Sequence, residues 1–348
     1  MGKICILVSE CKLGDIVAQK VVSKYGATIA VENTVINNYI KNKLIAFDIN
    51  YIWIYGNADE ETPKLIDNNL LKLKKDYKQN VMEINEVIND LSRGKPVNVQ
   101  KIDKISNSIY NAINDEYHII KCLSELRTAD QHLYSHSINV SFYGMLLGKW
   151  LCLTKSEINK IVQAGLLHDI GKAKIPTEIL NKKGKLDVQE VEEIKRHTIY
   201  GYNMVKRIHI ISDEVKEAIL LHHERMNKSG YPMGKDGDEL SLYSKIIGIA
   251  DAYDAITSER IYRHRETPFI AFEILQKENI ECFDIHIMST FLGNLAACYV
   301  GSRVMLNNGR TGEILYVPPH AITKPIVSVE SEYIDLSKES NLKIIRMI

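Results

Sequence analysis

The chain lacks a long apolar run, an excess of charge of either sign and any clustering of cysteine, and each absence removes a class of protein. Ile4-Cys5-Ile6-Leu7-Val8 stops at Ser9-Glu10, too short for a signal-peptide core or a bilayer span, and Tyr51 to Tyr55 is a short, partly polar stretch that reads as a strand. The 44 basic and 44 acidic residues cancel, which leaves no bulk attraction to a nucleic-acid polymer or an anionic membrane. Cys5, Cys11, Cys122, Cys152, Cys282 and Cys298 show no metal-ribbon spacing and read as small buried hydrophobes. A soluble protein of a reducing, cytoplasmic compartment is therefore expected. Hydrophobic residues at 45% and charged residues at 25% are ordinary globular values, and 348 residues exceed a single core, so more than one domain is expected.

Local patterning divides the chain into four stretches. Residues 1–79 mix β-branched runs (4–8, 16–22, 28–31, 51–55) with a short helix over 35–44, a small α+β module. It holds no histidine and no glycine-rich phosphate loop, so a regulatory or packing role is expected. Over 80–128 the period becomes helical, with Val81, Ile84, Val87, Ile88 and Leu91 before the break at Arg93-Gly94-Lys95-Pro96 and Ile102, Ile105 and Ile109 after it. Two readings stand for this stretch: a helical connector, or a helix pair that makes a homodimer, although its heptads are not sustained. Residues 299–348 read as a small β extension, with strands near 301–307, 314–317, 326–329 and 342–345 and an Asn308-Gly309 turn.

The chemistry lies in 129–298. Seven of the eleven histidines fall between His132 and His223. His132 and His136 are four apart, so a helix puts both on one face. A helix over 155–167 delivers His168-Asp169, and Gly171 allows the bend that lets both face one centre. A carboxylate offers two oxygens to two ions whereas an imidazole offers one nitrogen, so Asp169 suits a bridge in a binuclear site. Lys172 follows the turn, within reach of an anion. His197 sits in a helical stretch, His222-His223 ends the next helix, and His209 fits no pattern. Asp251 and Asp254 stand three apart in the nearly apolar run from Ile246 to Thr257, where unpaired acids are costly; Asp251 as a metal ligand with Asp254 as its supporting partner accounts for both.

The ordered set His136, His168-Asp169, His197, His222-His223 and Asp251 resembles the HD metallophosphohydrolase superfamily, and the stretch from His222 to Pro232, with Gly230-Tyr231-Pro232, resembles its HD-GYP subfamily. This resemblance implies a mainly α fold with an HD-type helical bundle core. It implies that those seven residues hold two divalent transition-metal ions, iron or manganese, with Asp169 bridging. It further implies hydrolysis of cyclic di-GMP to pGpG or GMP by a hydroxide held between the ions. Asp169, Lys172 and Asp254 would serve catalysis, while Lys172, Tyr231, Arg260 and Arg263 match positions that contact phosphate or guanine. His132 occupies the position of an acidic ligand to a third ion. Asn227-Lys228 stands where an Asp-Gly pair is common, and Lys174 where a small residue is usual. Another nucleotide substrate, or a non-catalytic cyclic di-GMP receptor, remains as the alternative.

Overall fold

Two sets of apolar residues fold into two separate cores, and the boundary between them governs the architecture. The computed structural model describes all residues except 1, 24–27, 48, 50, 57–61, 115, 127–131, 183, 259–265, 278–280, 331 and 340, together with the side chains of 2, 56, 62–69 and 132–134. The first core joins Ile6, Val8, Val17, Ile29, Ile36, Leu44, Ile52 and Ile54. Around it lie β1 (Gly2–Leu7), β2 (Val21–Val22), β3 (Thr28–Ala30), α1 (Asn38–Ala46) and β4 (Tyr51–Gly56). Strand β1 pairs antiparallel with β4, and β2 with β3. Helix α1 starts later than the sequence pattern suggests because Val35 bridges Ile16 and Asn37 then caps the helix, its side chain accepting from Ile40 N at 2.9 Å. The run 16–22 is a strand only at Val21–Val22, with single bridges at Ile16 and Val17.

The second core runs from Leu70 to Ile344 and is mainly helical. Its helices are α2 (Thr62–Ser92), α3 (Val99–Tyr110), α4 (Glu116–Glu125), α5 (His132–Trp150), α6 (Lys155–Leu167), α9 (His197–Val205), α10 (Asp213–Leu221), α11 (Leu242–Thr257), α12 (Pro268–Lys277) and α13 (Ile285–Ala297), while α7 (Thr177–Leu180) and α8 (Val188–Lys195) bury no residue in it. The expected boundary at residue 79 falls inside α2. Leu70, Leu73, Tyr77, Val81, Ile84, Ile88 and Leu91 are all buried at three- and four-residue steps, so one stripe crosses that position without a break. The expected boundary at residue 128 lies outside the described residues.

Five antiparallel strands close the chain in the order β8-β7-β6-β5-β9: β5 (Arg303–Leu306), β6 (Thr311–Tyr316), β7 (Ile326–Val329), β8 (Glu332–Asp335) and β9 (Ile344–Met347). Val304, Leu306, Ile314 and Val327 enter the helical core rather than forming one of their own. Strand β8 escapes the sequence pattern because its four residues are polar or half-exposed and carry no apolar alternation.

Helix α6 begins at a capping box in which Thr154 and Glu157 each satisfy the other's backbone N–H. It packs on α5 so closely that a Cβ at Gly165 would lie 2.8 Å from Ser141 Cα. That approach brings the C-terminal end of α6 beside the N-terminal half of α5. Helix α11 also packs on α5 and α6, and α10 on α9 and α11, so the ends of five helices converge.

If α2 is seated in this core, truncating its inner face must be costly. Ile84→Ala should lower unfolding free energy by about 3 kcal/mol, while Met82→Ala, on the exposed side of the same helix, should stay within about 0.5 kcal/mol. Urea denaturation of the two variants checks this.

Candidate metal centre

Three of the histidines reach the convergence point by the same device. His168 and His222 cap the C-terminal ends of α6 and α10, and His197 follows α8 at the start of α9. In each, Nδ1 meets the backbone carbonyl three residues earlier: Gly165 O at 2.8 Å, Ile194 O at 2.8 Å and Ile219 O at 3.0 Å. A carbonyl only accepts, so Nδ1 carries the proton and Nε2 turns its lone pair inward. Gly165 O and Ile219 O lie in a last helical turn, where carbonyls lack intrahelical partners, while Ile194 O also receives the Arg196 N–H. His136 differs, since its Nδ1 lies 2.8 Å from Asp254 Oδ2.

Asp169 follows His168 at φ −102° and ψ 5°, where the chain leaves α6 and enters a 3-10 turn over Ile170–Lys174. This change of helical geometry lets adjacent His168 and Asp169 face one centre. Gly171 is required for a reason the sequence pattern did not suggest: a Cβ there would lie 1.9 Å from His197 O, so the turn packs directly on the backbone of α9.

The resulting groups form two sets. Asp169, His197, His222 and His223 bring ligand atoms within 4.8 Å of one another, and so do His136, His168 and Asp251. Asp169 faces both: Oδ1 lies 3.2 Å from His197 Nε2, while Oδ2 lies 3.4 Å from His168 Nε2 and 3.6 Å from His136 Nε2. Asp251 also faces both, with Oδ1 3.1 Å from His136 Nε2 and Oδ2 3.6 Å from His223 Nδ1.

Electrostatics favour a cation here. Burial pushes His197 down, His222 well down and His223 to about 3, so these three rings are neutral at physiological pH and free to ligate. Burial opposes charge on Asp169 too, but Lys172, His168 and His197 hold its carboxyl well below the ordinary range. For Asp251, burial is likewise overcome, by His136 and His223. Two neutral imidazoles, His197 and His222, aim Nε2 lone pairs at each other across 3.4 Å, and buried Asp169 Oδ1 makes no hydrogen bond. Lone pairs and an orphaned carboxylate oxygen converging on one point fit a divalent ion.

The remaining expected residues divide cleanly. Lys172 Nζ stands 2.5 Å from Asp169 Oδ2, beside the centre. The Tyr231 ring stacks on His223 at 4.7 Å and lies under Lys195 Nζ at 5.7 Å. His132 begins α5, but its side chain, like Arg260 and Arg263, lies outside the described residues. Lys228 adopts φ 65°, the left-handed conformation that the more common glycine takes freely, at a cost of roughly 1–2 kcal/mol. Its ammonium pairs with Asp236 at 2.7 Å.

Sequence reasoning overlooked Glu224, Asn139 and Tyr77. Buried Glu224 accepts from Met233 N at 2.6 Å and Lys235 N at 3.0 Å, drawing together the loop that carries Tyr231. The signal for Glu224 was its place directly after His222-His223. Asn139 and Tyr77 gave none beyond being polar residues on apolar helical stripes.

With this geometry in view, comparison with known proteins becomes informative. Residues 122–287 match the family described as "HD domain". A protein of Pseudomonas aeruginosa named cyclic di-GMP phosphodiesterase PA4108 is 33% identical over 228 residues, 66% of this chain and 54% of that protein. Residues 122–287 thus carry an HD domain. A Thermotoga maritima relative named cyclic di-GMP phosphodiesterase is 27% identical, over 69% of this chain and 66% of its own length. A Vibrio cholerae relative named 3′3′-cGAMP-specific phosphodiesterase 3 is 34% identical over 42% of this chain and 33% of its own. The chain thus spans about half the length of the Pseudomonas protein. Among solved structures, Bd1817, an HDG"Y"P protein from Bdellovibrio bacteriovorus, shares the fold, with a TM-score of 0.53 at 14% identity over 83% of this chain and 98% of that one.

Two outcomes follow from the HD-domain geometry. Gly171→Ala should destabilise by on the order of 3 kcal/mol, because its methyl meets backbone rather than a movable side chain; calorimetry would detect this as a lowered Tm. The second concerns pH. Burial lowers His136, but the hydrogen bonds its ring donates to Asp251 and Asp254 outweigh it and raise the ring to about 9. A metal ion taken up at Nε2 would have to displace a proton there at neutral pH. Affinity for Mn(II) should rise by about tenfold per unit from pH 7 toward pH 9 and then level off, as calorimetric titration at stepped pH would show.

Proposed function

We propose that this protein is a metal-dependent phosphodiesterase that hydrolyses cyclic di-GMP, with His136, His168, Asp169, His197, His222, His223 and Asp251 as the ligands of two ions. The main support is the arrangement of Asp169, whose two oxygens turn toward two sets of imidazole nitrogens while Oδ1 has no hydrogen bond of its own. Iron or manganese suits such a mixed nitrogen and oxygen set. A third ion would draw on His132.

Divalent ions in these positions supply Lewis acidity toward the phosphodiester oxygens and activate water for in-line attack. The chain's own groups then have distinct tasks. Lys172, beside Asp169, contributes a fixed positive charge where phosphoryl oxygens arrive. Tyr231, held against His223 and drawn in by the Glu224 loop, offers a face for guanine or an edge for phosphate. Arg260 and Arg263 complete the proposed contacts through guanidinium forks. Asp254 keeps His136 turned toward the centre. The product would be pGpG, or GMP after a second cut. The module ahead of α2 would regulate the 129–298 catalytic unit, α2 to α4 would support it, and 299–348 would brace it. Six unpaired cysteines favour action in the cytoplasm. Among the described residues, no helix is long and apolar enough to cross a membrane.

A second reading, hydrolysis of 3′3′-cGAMP, is kept by the Vibrio relative's name. Anaerobically purified protein, analysed for metal and then given both cyclic dinucleotides, separates the readings. Two ions per chain, and faster turnover of cyclic di-GMP with linear product, are expected. Faster turnover of 3′3′-cGAMP would favour the second reading, and tight binding with no cleavage would indicate a receptor. Asp169→Asn should lower kcat on the order of a thousandfold; unchanged turnover in the His168→Ala, Asp169→Asn double variant would sink metal-assisted hydrolysis.

A further inference from the structure

A line of buried hydrogen bonds continues from His136 away from the centre. Asp254, fully buried one turn beyond Asp251 on α11, has both oxygens engaged: Oδ2 with His136 Nδ1 at 2.8 Å and Oδ1 with Asn139 Nδ2 at 3.0 Å. Asn139 lies on α5, three residues after His136 and 3% exposed. Its amide oxygen accepts from the Tyr77 hydroxyl at 2.7 Å, and Tyr77 belongs to α2 and is 5% exposed.

Chemistry fixes the direction of every bond in this line. The ionised carboxylate of Asp254 only accepts, so both the His136 Nδ1–H and the Asn139 amide N–H donate to it. With its NH2 group turned to Asp254, Asn139 presents its oxygen to Tyr77, which must then donate. The reverse amide orientation would set carbonyl oxygen against carboxylate. The sequence of donors therefore ends with His136 protonated on Nδ1 and its Nε2 directed to Asp251 and His168, 3.1 Å and 3.3 Å away.

We propose that Tyr77 is a positioning residue of the metal centre: through Asn139 and Asp254, its hydroxyl fixes the orientation of the His136 ring. The proposal rests on the metal-binding reading above. Without the hydroxyl the amide of Asn139 has no partner holding its oxygen side and can rotate, which frees Asp254 and with it the His136 ring. Outer partners of metal-bound histidines commonly alter affinity by 10- to 100-fold. Tyr77 stands two bonds further out, so an effect of about tenfold is expected.

Tyr77→Phe tests this with little structural cost, because the ring keeps its stacked contact with Phe142 at 6.4 Å. Three readouts are taken on full-length protein: Mn(II) affinity by calorimetry, the nitrogen-15 and proton resonances of His136 Nδ1–H in metal-free protein, and Tm. Leu73→Ala, which loosens the same helix away from the hydrogen bonds, is the control. The expected result is about tenfold weaker Mn(II) binding and a shifted His136 signal in Tyr77→Phe, with Leu73→Ala lowering only Tm. Wild-type affinity and an unmoved His136 signal in Tyr77→Phe would overturn the proposal. So would an equal loss of affinity in Leu73→Ala, which would trace the effect to helix packing. If wild-type protein binds no Mn(II), the metal reading itself fails, and the His136 resonances still decide whether Tyr77 orients the ring.

Discussion

The buried carboxylate of Asp169 is the constraint on which the helical core depends. A carboxylate taken out of water is strongly destabilising unless opposite charge or hydrogen bonds replace its hydration. Here Lys172 supplies one positive charge at Oδ2, while Oδ1 faces an imidazole and no hydrogen-bond donor. Three of the surrounding rings are themselves held neutral by burial, so they add electron pairs rather than charge. Such an arrangement is unfavourable for an empty apolar core and favourable for a cation shared between carboxylate and imidazoles. The convergence of α5, α6, α9, α10 and α11 follows from the need to bring these groups to one point.

Helix ends are the means by which rigid elements aim the ligands. A histidine at the last turn of a helix finds a carbonyl that the helix cannot satisfy, gives it the Nδ1 proton and is thereby oriented. His168 and His222 use this solution, and each one adds a hydrogen bond that the backbone would otherwise take from water, while His197 is oriented in the same way by Ile194 O. Close packing then sets the distances between the ends. Gly165 lets α6 approach α5, and Gly171 lets the turn after Asp169 rest on the first residue of α9. A side chain at either position would push apart groups that now lie 3.1 to 3.6 Å from one another.

These relations explain what the sequence disclosed and what it hid. The clustering of these residues was legible because metal-capable side chains fell at helix ends and inside an apolar helix, where a purely structural role for them would be expensive; His168-Asp169 and Asp251 are the clearest instances. The two-sided use of Asp169 was legible from its having two oxygens. By contrast, Tyr77 and Asn139 are separated by 62 residues and meet only through the packing of α2 on α5, which no local period encodes. Helix α2 was cut short at residue 79 because lysines and an aspartate interrupt the run from Leu70 to Tyr77, masking a stripe that is already buried at Leu70. Gly171 was read as a bend, although its decisive neighbour is His197 O, and strand β8 had too little apolar alternation to register.

Helix α2 also bears on how the N-terminal module relates to the centre. The module keeps its own core and touches the helical part through β4, where the Tyr51 ring meets Tyr117 and His118 of α4 at 5.7 Å. Helix α2 begins just after β4 and is buried along one face from Leu70 to Leu91, so it moves as part of the helical core rather than as a loose linker. A change in the module would have two routes to the centre, the contact of β4 with α4 and the seating of α2. On α2, Tyr77 reaches Asn139 of α5 by a hydrogen bond, as Asn80 reaches Ser108 of α3. Apolar contacts tolerate small slides, whereas a hydrogen bond weakens steeply with misalignment, so a shift of α2 would be felt along the line from Tyr77 to His136.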